Sequence, residues 1–438
     1  MKKNYLSLIL ALCTTMLFSQ NNDFNNGGTD LLWSNPANWS LSVIPTSANT
    51  VRLPLIVESL VDADFTIAKI QTIFATSGDT PVAGGSILTI DAGANAVFGI
   101  ENVSDSDINM IFRGNVTINN STTDGISNTL MRNQNGNTND VNGIIFDNGS
   151  LLTLTTPLES RTGSGGDIFN FNGNLAGTGA LRFGANTTNN FGSTSSNAGF
   201  DGDLVYVGAN GSVVVNTADN NVFVGSGKKI QVNSDNSSIQ INGVNVFQGN
   251  ISINSSNSFS FDVNNNQNSL GTILFTGGSA DGTLNLDIDN SITALAFEDN
   301  STADWGAGTV NITGYQEGVL RFGTDNTGLT TAQLAQISVD GSGGAVALDS
   351  DGYLVNESSL SVDEFEADAN RPIAYPTIAD DKLFFSKTQN NVKIIDLNGK
   401  VLFTSKAENQ SEVSISFLSN GLYLLVFDNK RVEKFIKK

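Results

Sequence analysis

Between about Val61 and Val355 the chain is written in short apolar or β-branched runs, each closed off by Gly, Asn or Asp. Ile87-Leu88-Thr89-Ile90, Val116-Thr117-Ile118, Leu151-Leu152-Thr153-Leu154, Val213-Val214-Val215 and Leu284-Asn285-Leu286-Asp287-Ile288 are of this kind. Such runs are too short for a helix and have the length and composition of strands bounded by turn formers. The segment therefore reads as all-β, and two architectures compete for it. In a parallel β-helix (β-solenoid) no rung buries its inward face alone, but the stack makes one continuous core. Antiparallel sandwiches would instead place strands every ~8–12 residues, joined by hairpins. The excess of Asn and Gly and the brevity of the runs favour the β-helix. Its tight corners call for Gly and Asn, and Asn side chains at equivalent corners would hydrogen-bond from rung to rung.

Words within this segment echo one another in order. Ile111-Phe112-Arg113-Gly114-Asn115-Val116-Thr117-Ile118-Asn119 resembles Val246-Phe247-Gln248-Gly249-Asn250-Ile251-Ser252-Ile253-Asn254. Gly143-Ile144-Ile145-Phe146 returns as Thr272-Ile273-Leu274-Phe275, and Leu181-Arg182-Phe183-Gly184 as Leu320-Arg321-Phe322-Gly323. Ile90 with Val97-Phe98 pairs with Val215 and Val222-Phe223, and the four offsets run from 125 to 139 residues. They suggest a duplication within a solenoid.

The 438 residues are enough for about two or three folded units. With 39% hydrophobic residues, 15% charged residues and 26 Phe, the chain has the means to build a core and does not have a disordered composition. Its net charge of −21 is unevenly spread: residues 21–370 hold nine Lys or Arg, and residues 372–438 hold ten. A phosphate backbone needs a basic groove, so the long acidic portion is not a nucleic-acid binder, and anionic membrane surfaces are disfavoured in the same way. The acidity serves solubility, with calcium the one ion it leaves open; no cofactor is otherwise called for. No His is present, and the one Cys is Cys13.

Lys2 and Lys3 precede an apolar run from Tyr5 to Phe18, followed by the small Ser19 and then Gln20. This is the pattern of a secretory signal peptide over residues 1–19, cleaved between Ser19 and Gln20. The run is shorter than the ~20 residues of a permanent span, and no later segment is apolar enough to cross a membrane. Leu12 stands before Cys13 where lipidation wants a small residue. Cleavage removes the one thiol, so the mature protein carries neither disulfide nor thiolate chemistry.

Residues 20–60 read as an N-terminal cap holding Trp33 and Trp39. A Trp pair there plugs the open end of a sheet stack or, alternatively, offers a sugar-stacking platform. Residues 61–355 form the solenoid. Residues 356–371, with Asp363-Glu364-Phe365-Glu366-Ala367-Asp368, read as an acidic, solvated linker. Residues 372–438 form a further module, in which Lys is enriched and Asn and Gly no longer dominate. Val392 to Ile395 and Val401 to Phe403 flank Asp396-Leu397-Asn398-Gly399, a hairpin in which Asn-Gly supplies positive φ. Ser419-Asn420-Gly421 is a second turn, before the strand Leu422 to Phe427, and the whole reads as a small antiparallel β-sandwich of about seven strands.

The words of this last module are Tyr375-Pro376, Lys382-Leu383, Asp396, Gly399-Lys400, Leu418, Gly421, Tyr423 and Lys437-Lys438. In that order they resemble the type A C-terminal sorting domain of the type IX secretion system. Thr377-Ile378 stands where that family commonly has Asn-Pro. The resemblance implies recognition by the outer-membrane translocon and removal by its sorting peptidase, with the cargo released or attached to the cell surface. The stretch from Trp305-Gly306 through Ile312-Thr313-Gly314-Tyr315 and Leu320-Arg321-Phe322-Gly323 to Gly328 is similar to the closing segment of autotransporter-like β-helix passengers. That likeness implies architecture only, with a short helix over Thr330 to Ile337 that packs Leu334 and Ile337 on the stack.

Without His, Ser-His-Asp and Cys-His chemistry and the commonest zinc ligand are excluded. Glycosidase chemistry would need converging carboxylates, for which Asp105 with Asp107, Asp287 with Asp289, and Asp349 with Asp351 are candidates by alternation. Turn formation accounts for the same residues. Asp349-Ser350-Asp351-Gly352 opens like a calcium loop but lacks the downstream Glu, and Gly163-Ser164-Gly165-Gly166-Asp167 occurs once where such repeats work in arrays. The cations a lyase would draw on are Arg52, Lys69, Arg113, Arg132, Arg161, Arg182, Lys228, Lys229 and Arg321, scattered along the chain. The expectation is an extracellular, non-enzymatic adhesin or surface-binding β-helix. A carbohydrate-active β-helix enzyme is the alternative, and a glycan binder using Trp33, Trp39 or Trp305 a third reading. An enzyme predicts a groove where Asp meets Arg or Lys; an adhesin predicts flat faces.

Overall fold

In the computed structural model of the chain, the described residues are 19–438 apart from 54–57, 73–79, 93–97, 104–108, 122–128, 134–142, 163–165, 193–196, 342–344, 357–373, 406–408 and 428–431. The leader up to residue 18, the Asp105 and Asp107 pair, Gly163 to Gly165 and nearly all of the acidic linker lie outside them. The chain divides into two compact units, Met1–Ser359 and Leu360–Lys438.

The first unit is a parallel β-solenoid whose rungs visit three faces in turn. The first face has twelve strands, from Ser59–Leu60 to Ile337–Val339. The second has six, from Phe65–Ile67 to Asn197–Phe200, and resumes as three more, Gln267–Leu270, Leu295–Phe297 and Leu320–Phe322. The third has eleven, from Gln20–Asp23 to Ile273–Thr276. Within each face the pairing is parallel, and most rungs stack in register, as with Ser258–Val263 on Thr283–Ile288; the register shifts at Leu130/Met131, Leu175/Gly177 and Gln267/Leu270. Alternate side chains point inward, so Phe259, Phe261 and Val263 are buried while Ser258, Ser260 and Asp262 are not. Equivalent positions stack: Phe112, Phe146, Phe171 and Phe191 form a column with ring centroids 5.0, 5.5 and 4.8 Å apart. These offset rings add to the burial that drives stacking.

The corners explain the Asn content. Asn186, Asn210, Asn220 and Asn245 hold φ of 54°, 58°, 60° and 53°, a left-handed conformation that Asn enters more readily than other side-chain-bearing residues. The same residues form ladders, Asn210 donating to Asn186 and Asn245 to Asn220, each at 3.0 Å. A further column runs Asn264 to Asn242 to Asn216, with both bonds 2.7 Å long. The echoing words, by contrast, do not occupy equivalent places. Phe112 lies on the first face and Phe247 on the second; Leu181–Phe183 lies on the third and Leu320–Phe322 on the second. They share the grammar of a rung rather than a position in it, which removes the support for a face-preserving duplication.

At the N-terminal end Trp33, Trp39 and Phe24 are at most 1% exposed. Trp39 meets Trp33 and Phe24 edge-on at 5.2 and 5.1 Å, and its Nε1 donates to the Trp33 carbonyl at 2.8 Å. This cluster closes the first rungs. Near the other end, the helix is a single turn, Thr331–Leu334, with a Thr330/Gln333 capping box. It stops before Ile337, which opens the last strand of the first face instead of ending the helix; Leu334 packs on the core and Ile337 is 5% exposed. An antiparallel hairpin, Val346–Leu348 with Leu354–Asn356, follows.

The second unit has its own core, which includes Leu383, Phe385, Ile394, Ile415, Leu425 and Phe435. A three-stranded sheet supplies one layer. A five-stranded sheet supplies the other, antiparallel except for the edge pair Ile378–Ala379 with Val432–Lys437. In the first hairpin only Gly399 takes positive φ, 78°. Asp396 does the rest, its Oδ1 accepting from Asn398 N and Lys400 N at 2.9 Å each, so Asn398 needs no left-handed turn.

Candidate functional site

Two regions hold the candidate functional side chains. In the second unit, the residues singled out from the sequence fall into turns, edges and core. Tyr375 is 49% exposed at the edge beside Phe384, with a cis bond to the exposed Pro376. Lys382 pairs with Glu412 at 2.7 Å, and Leu383 is buried. Asp396, Gly399 and Lys400 build the hairpin described above. Gly421 opens the strand Gly421–Val426, opposite Lys437. Tyr423 stacks on Phe435 and donates its hydroxyl to Ser419 O at 2.8 Å. Lys437 is 9% exposed with Nζ on the Lys438 carbonyl, and Lys438 N donates to Ala379 O at 3.1 Å. The terminal lysines are therefore part of a sheet edge. Ile378, Ile436 and Leu422 stand abreast on three neighbouring strands, each 40–46% exposed, and make an apolar row on the outer face of the five-stranded sheet.

In the solenoid, the cations are mostly spent on structure. Arg52 clasps Asp23 through Nε and Nη2 at 2.5 and 2.6 Å. On the third face, Lys69 and Arg132 both reach Glu101, and Arg161 and Arg182 reach Glu159 at 2.6 and 3.1 Å; both glutamates are only 2% exposed. Burial first, then the neighbouring Arg132 charge, lowers the Lys69 ammonium to about 8. Arg113 bridges Glu58 and Asp147, and Lys228 meets Asp201 at 3.0 Å. Among the described residues, only Lys229 and Arg321 of the solenoid's nine cations have no ion pair.

Arg321 lies on the second face. There the strand ladder is broken between Phe200 and Gln267 except for a bridge from Val224 to Phe247. The fully buried Gln267 mends the gap: its Oε1 accepts from Val246 N and Phe247 N at 3.0 and 3.2 Å, and its Nε2 donates to Gly243 O at 2.7 Å. Beyond it, the small, buried Ala296 lies between Ser269 and Arg321, leaving a cleft of about 320 Å³. Glu298, Asp299 and Asp325 rim it. The Asn300 N to Gly328 O bond, 2.9 Å, ties the two rim loops together. Asp299 Oδ1 accepts from Ser301 N, and Asp325 Oδ1 from Thr327 N, both at 2.8 Å; the Thr327 side chain and backbone hold the Asp325 carboxyl below its ordinary value. The Arg321 guanidinium stands 5.9 Å from the Tyr353 ring centroid, and its buried Nε has no hydrogen-bond partner.

The other sequence candidates stay apart from this cleft. Asp287 accepts from Thr313 Oγ1 at 2.8 Å on the first face, while Asp289 turns back on Ser291 N, whose bonds lower its carboxyl. Asp349 Oδ1 caps the hairpin turn through Asp351 N and Tyr353 N at 2.9 Å each. Trp305 is 2% exposed against Phe275, so all three indoles lie in the core and none turns a ring face to solvent. Ser19 and Gln20 join the first rung, through Ser19 Oγ on Thr50 Oγ1 at 2.8 Å and the strand Gln20–Asp23. Sequence reasoning placed Arg321 among the cations but missed Glu298, Asp299 and Asp325; only the rung offset, unknown before folding, brings them to one cleft.

No curated protein and no solved structure matches the chain at a significant level. Residues 374–438 match the family described as "Secretion system C-terminal sorting domain". That tail marks proteins secreted or attached to the cell surface and handled by the type IX system, and among the described residues no helix is long and apolar enough to cross a membrane. This chain is thus a β-solenoid passenger followed by a member of the type IX C-terminal sorting domain family.

Proposed function

We propose that the passenger is a non-enzymatic, surface-binding β-helix, an adhesin or matrix component, exported after cleavage between Ser19 and Gln20. The observation that carries this is the disposition of charge. Both buried carboxylates of the third face are consumed by cations of the same or neighbouring strands, and Asp289, Asp299, Asp325 and Asp349 each bond their own turns. Hydrolysis of a glycoside needs one carboxyl raised to hold a proton and a second free to attack or to activate water. In the cleft, Asp325 is instead lowered. What the solenoid offers outward is columns of amides and hydroxyls, surfaces suited to many weak polar contacts repeated at the rung spacing.

The alternative of a carbohydrate-active enzyme draws on one observation, the meeting of Arg321 with three carboxylates in a single cleft. Incubating the full protein with neutral and acidic polysaccharides and measuring new reducing ends separates the two. The binding reading expects retention on the polymer without release of ends. Turnover that is lost in Asp325→Asn would replace it with the enzyme.

A further inference from the structure

The Arg321 cleft does not end at Ser269. A second cavity of about 220 Å³, bordered by Asn220, Asn245 and Gln248, shares Asn268 and Ser269 with it. Together they make one groove along the second face, crossing four rung spacings of ~4.8 Å, or roughly 19 Å. The two halves differ in chemistry. At the Asn220 end the polar groups are amides laddered to one another, Asn268 to Asn245 and Asn245 to Asn220 at 3.0 Å each, with further donor and acceptor capacity left over. At the Arg321 end a donor-only guanidinium stands among acceptor-only carboxylates, with none of them within ion-pair reach of it. Arg321 Nε is sealed from solvent without a partner, so it is the rest of the guanidinium that the residue presents to the cleft it lines. The turns at Asp299 and Asp325 engage Oδ1 of each and leave Oδ2 unclaimed.

We propose that this groove binds a neutral, hydroxyl-rich polysaccharide segment. A sugar hydroxyl donates and accepts at once, so neighbouring hydroxyls satisfy Arg321 and the rim carboxylates together, which neither a pure anion nor a pure cation does. Three carboxylates against one guanidinium leave the cleft net negative, which disfavours uronic-acid polymers and phosphates. The amides of Asn245 and Asn268 carry the chain toward the opposite end. The identification rests on the reading of the passenger as a binding module and adds the ligand class and the place.

The test is affinity electrophoresis of the full protein through gels containing mannan, laminarin, xylan or polygalacturonate, at low salt and at 0.5 M NaCl. At least one neutral polymer should retard the wild type, with less than about a twofold change on adding salt, because no charge pair holds a neutral ligand. Arg321→Ala should weaken that retardation about tenfold or more. Ser269→Ile, an exposed strand position that tolerates a β-branched residue, should also weaken it by filling the groove at its waist. Retardation by a neutral polymer that both variants retain would overturn the groove assignment and leave the binding reading standing. Strongest retardation by polygalacturonate would overturn the ligand class. Failure of all four polymers, with the protein still adhering to whole cells or matrix, would overturn the proposal but not the adhesin reading; release of reducing ends would overturn both.

Discussion

Trp33 and Trp39 show how two identical residues in one cluster differ by a single hydrogen bond. Trp39 Nε1 donates to the Trp33 carbonyl, whereas the buried Trp33 Nε1 has no partner. Replacing either by Phe removes similar volume, but Trp39→Phe also strands a carbonyl. We expect Trp39→Phe to destabilise the solenoid by about 1 kcal/mol more than Trp33→Phe in equilibrium urea unfolding. Asp262 offers a pH signature. Partial burial first, and then the charge of Asp287 on the next rung, raise its carboxyl above the ordinary 3.8. Because the folded value is the higher, ionising Asp262 withdraws stability as the pH rises above 3.8. Asp262→Asn should therefore stabilise the chain at pH 7, by about 0.5 kcal/mol or less after solvent screening, and the difference should close below pH 3.8. Thermal unfolding across that range checks it.

The second face illustrates how an element survives a fault in its own ladder. Where strands stop at Phe200 and resume at Gln267, one buried amide side chain substitutes for backbone partners. Gln267→Leu leaves two buried N–H groups without acceptors, and we expect a loss of about 2–5 kcal/mol. Amide exchange of Val246 and Phe247 should quicken more than that of the first-face strand Ser237–Ile241 in the same rung. The sequence announced the strands of this face through alternation, as in Leu320-Arg321-Phe322, but not this repair, since Gln267 reads like any polar residue of an Asn-rich turn. The corner ladders were legible for a simple reason: few residues other than Gly and Asn tolerate positive φ, so composition alone betrays the turns.

At the scale of the whole chain, two separate cores mean that the sorting domain can be removed without cutting into the solenoid's own packing. Deleting residues 374–438 leaves the solenoid's core whole, so the passenger should keep a cooperative unfolding transition in a urea titration. Fractionation of the producing cells should find it retained on the inner side of the outer membrane. Normal surface delivery of the truncated chain would contradict the assignment of the tail.

By itself, the sequence determined the class of fold and the route of export. Period-two apolar runs closed by Asn and Gly announce strands and favour a stack over sandwiches, and part of the sorting pattern, Asp396 to Lys400, is a local turn that needs only its own neighbours. It could not decide which residues meet across rungs. Parallel stacking joins positions some 20 to 35 residues apart, and that offset varies with every loop, as Glu101 on Arg132 and Glu159 on Arg182 show. Only the folded stack sent the tryptophans inward, paired seven of the nine solenoid cations, and left Arg321 unpaired in the cleft beside Asp299 and Asp325.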